Sequence, residues 1–252
     1  MLQENPNVTP ITPTAPMAAN THGGRAKCLQ RLVRMDLPVP RTVALSFDAV
    51  HGLASGHAPD IAKILAEFPE GALLCVRPSS QDPDWGGPGA ILNIGMNDAR
   101  FVEMCDTLGA NAAAALYTRF VEAYAVHVAR LDPDMFDDIS VEGAQALSEA
   151  LRAYEEEAEE PFPQEPEVQL RQVLRSMARA WEGTTARLLR QAKGAQPMPV
   201  WALWFRKWRW GSDGQRRPKG KPDRACCNWS TATPACARSP GVTSARARGA
   251  MR

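Results

Sequence analysis

Apolar positions in the first hundred residues alternate between helical and strand-like spacing. From 25 to 35 they fall at Ala26, Leu29, Leu32 and Val33, which is the stripe of one helix face. Pro38 and Pro40 end that helix. Residues 42–46, Thr-Val-Ala-Leu-Ser, predict a short buried strand. Two short helices are expected next, at about 47–54 and 59–68. The second has Pro59 in its first turn and a stripe of Ile61, Ile64, Leu65 and Phe68. Residues 72–77 predict a buried strand that ends on a charge, Arg77. Residues 78–89 are Pro, Ser, Gly and Asp apart from Gln81 and Trp85, and predict a loop. Residues 90–95 predict a returning strand, and Asn97-Asp98 opens a helix.

From 99 to 194 the pattern is helical throughout. Leu116, Phe120, Tyr124, Val128 and Leu131 sustain one apolar stripe, and Leu147, Leu151 and Tyr154 mark a second helix. An acidic run at 155–160 reads as a solvated patch. A third helix begins at Pro166 and buries Leu170, Val173, Leu174, Met177 and Trp181. The fold class expected is α+β.

Composition adds a discontinuity. The chain has 252 residues, 44% hydrophobic and 23% charged, which excludes collagen, a continuous coiled coil and full disorder. Its net charge of +1 conceals two unlike parts. Residues 196–252 hold twelve Lys and Arg against two Asp, a net of +10. Residues 1–195 hold seventeen cations against twenty-six acids, a net of −9. Five of the seven Trp also lie beyond 195. The six Cys form no C-x-x-C pair or zinc-type cluster, so reduced thiols are expected, with Cys75 in the core. His22, His51, His57 and His127 read as structural. No apolar run approaches the roughly 18–20 residues of a spanning helix, and the first residues lack signal-peptide features. A cytoplasmic protein without membrane contact is the expectation.

The segment richest in chemistry runs from Val76 to Asp98. A guanidinium at a strand end, Arg77, precedes a loop carrying Gly86, Gly87 and Gly89. Arginine presents a fork to phosphate oxygens, and glycines let backbone N–H groups approach them. Gly23-Gly24-Arg25 places a second cation at a helix start. As composition alone, these residues more readily describe a turn between strands with two surface arginines.

Particular words in the sequence carry more than composition does. Gly23-Gly24-Arg25-Ala26, Leu37-Pro38-Val39-Pro40, Val76-Arg77-Pro78, the run Leu92-Asn93-Ile94-Gly95-Met96-Asn97-Asp98 and Phe162-Pro163-Gln164-Glu165-Pro166 occur in this order. Together they resemble the N-terminal nucleotide-binding domain of the pyruvate phosphate dikinase and phosphoenolpyruvate synthase family, over about 23–194. The resemblance implies an ATP-grasp fold, ATP as cofactor, and phosphate contacts from Arg25, Arg77 and the loop glycines Gly86, Gly87 and Gly89. Arg25 stands where the family has Lys, and Pro78 where it has a small residue. Mg²⁺ is implied for the full-length family only, held by acids of a second lobe. The family's phosphorylated His and pyruvate-binding barrel have no counterpart here, and no catalytic residue or metal ligand is assigned. Family members are often homodimers.

The second lobe should begin near 196, where composition breaks. Read from the third base of its first codon, 201–208 permits Gly-Leu-Val-Val-Gln-Lys-Met, a family-like strand. The same shift at 226–230 permits Leu-Gln-Leu-Val. This points to an out-of-frame tail. The expected organisation is a flexible lead-in (1–22), an N-terminal ATP-grasp lobe (23–108), a helical subdomain (109–195) and an unstructured basic tail (196–252). The functional expectation is a truncated ATP-binding domain of a dikinase-like phosphotransferase, inactive alone. The alternative is a non-catalytic regulatory module whose basic tail contacts polyanions or nucleic acid. The tail lacks the periodicity of a nucleic-acid module, so no specific nucleic-acid site is expected.

Overall fold

Short strands from distant parts of the chain converge on one antiparallel sheet. The computed structural model describes residues 7–80, 89–139 and 141–194, and the backbone of 201–207. Strands β1 (Val8–Pro10), β2 (Thr42–Leu45), β3 (Leu74–Ser80), β4 (Ile91–Ile94) and β5 (Trp201–Lys207) lie in the order β1-β2-β5-β3-β4. Every neighbouring pair is antiparallel. All four residues of β2 are buried, as its β-branched and apolar composition predicts.

Helices α1 (Ala19–Arg34), α2 (Phe47–Ala54), α3 (Ile61–Ala66) and α4 (Asp98–Leu108) surround the strands in sequence. Side chains at three of their starts satisfy orphan amides. Ser46 accepts from Ala49 N, Asp60 from Lys63 N, and Asn97 from Arg100 N. Then come α5 (Ala110–Tyr124), α6 (Gly143–Ala158), α7 (Pro166–Glu182) and α8 (Thr184–Ala192). The described residues form one compact unit. One apolar core runs from Val43, Leu45 and Val76 of the sheet to Tyr117, Tyr154 and Trp181 of the helices. The two parts expected at 23–108 and 109–195 therefore share a core. Phe162 sits at the centre of an aromatic cluster, with Tyr117, Phe120, Tyr124 and Tyr154 edge-on at 5.2–5.9 Å.

The mixed α and β content, the helix stripes and the buried Cys75 agree with the sequence. Three expectations are corrected. Residues 7–22 are not a loose lead-in: β1 pairs with β2, Met17 is buried, and the Gln30 amide donates to the carbonyls of Thr12 and Ala15. The tail expected to be unstructured holds a strand among its described residues. Its segment 201–207 fills the centre of the sheet, pairing with three residues of β2 and seven of β3. Finally, the stripe through Leu131 does not stay α-helical. After Tyr124 the chain widens into a π turn (Ala125–Ala129) and stops at Arg130 in left-handed conformation. Residues 208–252 lie outside the described chain.

Candidate functional site

The first turn of α1 and the far end of β3 touch through Gly23 and Ser79. Gly23 has φ +79° and ψ 165°, a region open essentially to glycine alone. A Cβ there would lie 2.0 Å from the Ser79 carbonyl oxygen. The fully buried Ser79 hydroxyl donates to His22 O at 2.9 Å and accepts from Ala26 N at 3.2 Å. Gly23 thus serves a protein–protein approach rather than an approach to a ligand.

This latch fixes Arg25. Its Nη1 donates to the carbonyl of Pro78, 53 positions away, at 3.2 Å. Partial desolvation lowers its pKa, and the neighbouring charge of Arg77 lowers it further. Arg77 is half-buried on β3. The two cations named from sequence are therefore brought together by α1 and β3. Gly89 is exposed, with open space around any Cβ added there. Gly86 and Gly87 lie outside the described residues.

The run Leu92–Asp98 has a different role from the one its distinctiveness suggests. Gly95 N donates to Gln169 Oε1 at 2.8 Å, and Gln169 Nε2 donates to Met96 O and Pro163 O. Asn97 Nδ2 donates to Gln164 O, and Asp98 N to Gln164 Oε1, both at 2.9 Å. Tyr117 OH donates to Asp98 and accepts from Gln164 Nε2. Burial raises the Tyr117 pKa, so that donor stays protonated. Two separated sequence motifs are stitched to each other through Gln164 and Gln169, although the buried Asn93 Oδ1 is left without a partner among the described residues. Gln169 is the residue that sequence reasoning missed. The only local signal was a polar side chain on the buried stripe of α7.

His51 pairs with Glu182 at 2.9 Å on the surface, and His57 and His127 are exposed. A cavity of about 860 Å³ lies between β1, the start of α1 and the Ser46–Asp48 turn; Arg25 and Arg77 are not in its lining. Among the described residues, no group of three or more His, Cys, Asp or Glu could hold a metal ion. Among the same residues no helix is long and apolar enough to cross a membrane. The chain matches no protein-family model and no curated protein.

Proposed function

We propose that this chain is the nucleotide-binding part of a phosphotransferase resembling pyruvate phosphate dikinase, cytoplasmic, and that it binds ATP through its phosphates without turning it over alone. The observation that carries the reading is the proximity of Arg25 and Arg77. Like charges from α1 and β3 lie close enough that Arg77 lowers the Arg25 pKa beyond what burial does. A polyphosphate relieves that repulsion and can be gripped bidentately by either guanidinium.

The roles divide by geometry. Arg25 is steadied by Pro78 and positions itself at the helix start; Arg77 supplies charge from the strand. Gly89 lies in the glycine segment beyond β3 and leaves room for backbone approach to the ligand. Nothing in this set accepts or donates a proton near neutral pH, because guanidinium groups stay charged. The arrangement suits holding a triphosphate rather than cleaving it. In the family, Mg²⁺ supplies charge neutralisation between the β- and γ-phosphates; no group in this chain is assigned to hold it.

The test is a calorimetric titration of the whole chain with AMP, ADP and ATP at constant ionic strength. Affinity rises with each phosphate, and no phosphate is released on incubation with Mg·ATP. Equal affinity for AMP and ATP, or hydrolysis at the rate of an intact kinase, overturns the reading.

A further inference from the structure

A cationic cleft lies in the helical part, on residues to which the nucleotide reading gives no work. It has a volume of about 250 Å³ and opens between the π turn, α6 and α7. Gln172, Arg175, Ser176 and Arg179 line it from α7, at the i, i+3, i+4 and i+7 positions of one helix face. Arg130 enters from the end of the π turn. Tyr124 and Tyr154 form the inner wall, and Glu160 is the one acid in the lining.

Three features show that this face is built rather than incidental. Among the described residues, Arg130, Arg175 and Arg179 make no ion pair, so three cations face one carboxylate. Arg130 sits at φ +66° and ψ 31°, where glycine is the usual residue and an arginine is strained. π turns are rare and concentrate at functional positions. Here the turn's freed carbonyl, His127 O, is taken up by the Ser176 hydroxyl at 2.5 Å. That bond locks Ser176 and ties α7 to the segment carrying Arg130. Tyr124 OH donates to Gln172 Oε1, which commits the amide oxygen and leaves its NH₂ as a donor. Burial, reinforced by Glu160, pushes the Tyr154 phenol up to about 12, so its hydroxyl remains a donor at neutral pH.

We propose that this cleft is a second anion site, built for a compact phosphate group: inorganic phosphate or the phosphate of a small phosphomonoester. Guanidinium forks from two elements grip the oxygens, and the wall offers neutral donors. Glu160 opposes the site and sets a preference for ligands that can donate, such as a monoprotonated phosphate or a hydroxyl beside the phosphate.

The site is tested in the full chain carrying Arg25→Gln and Arg77→Gln, which removes the first cation pair. Inorganic phosphate and glycerol 3-phosphate are titrated by calorimetry, with chloride balancing ionic strength. One saturable site is expected, and the arm that saturates at lower concentration names the source of the phosphate. Adding Arg175→Gln, or Arg130→Asn, which tolerates the left-handed backbone, weakens binding at least about tenfold, with the circular-dichroism spectrum unchanged. Absence of saturable binding in the starting variant overturns the proposal. So does affinity within about twofold of that variant after both substitutions.

Discussion

Gly23 and Ser79 meet so closely that a methyl group on the glycine would overlap the serine carbonyl. The contact joins the start of α1 to the end of β3, and everything proposed for Arg25 depends on it. A Gly23→Ala variant faces two costs, a backbone conformation denied to alanine and a clash with main chain that cannot swing away. The expected loss is about 3 kcal/mol, seen as a fall of roughly 10 °C in Tm. Thermal unfolding by circular dichroism checks it, and a Tm unchanged from the parent would show that the latch is not needed.

Gln169 is the corresponding fastener for the helical part. Its amide serves Gly95 N, Met96 O and Pro163 O from a fully buried position. Gln169→Leu keeps much of the volume and orphans one donor and two acceptors. We expect a loss of about 2–4 kcal/mol by denaturant titration. Gln169→Glu loses the two donated bonds and buries a charge, and should be no better tolerated at neutral pH.

The chain's three tyrosines are all buried, and burial raises the pKa of each, Tyr154 to about 12. The folded protein therefore holds its phenolic protons more tightly than the unfolded chain, whose phenols titrate near 10. Stability from this source is full below pH 10 and is lost as pH rises toward 12. In an ultraviolet titration the native protein should show almost no phenolate at pH 10, while the denatured chain is half-ionised. A native tyrosine titrating normally would place that residue outside the aromatic cluster.

Where side-chain periodicity is local, the sequence was a sufficient guide. The stripe Leu170, Val173, Leu174, Met177 and Trp181 on α7 is buried along its whole length. Arg25 and Arg77 could be paired from their motifs, although nothing in either motif states their proximity. Long-range pairing was not legible. Residues 78–80 have loop composition, yet they continue β3 because β5, more than a hundred positions later, pairs with them. Pro78 is tolerated because pairing with β4 stops at Val76, leaving one side of the strand open where a missing N–H costs nothing. The same blindness hid β5 inside a segment set apart by its charge. Ser79 looked like one more loop serine, and only the approach of Gly23 makes it a latch. The Leu92–Asp98 run stood out as a word, but its internal hydrogen bonds show a structural use that spelling alone does not reveal.

The central claim, that Arg25 and Arg77 grip one polyphosphate together, is tested most directly by a double-mutant cycle. ATP affinity is measured at fixed ionic strength for the parent, Arg25→Gln, Arg77→Gln and the double variant. Each single change should weaken binding at least about tenfold, and the double should weaken it by less than the product of the singles, because either loss frees the ligand from the shared grip. Four affinities within about twofold of one another would contradict the account.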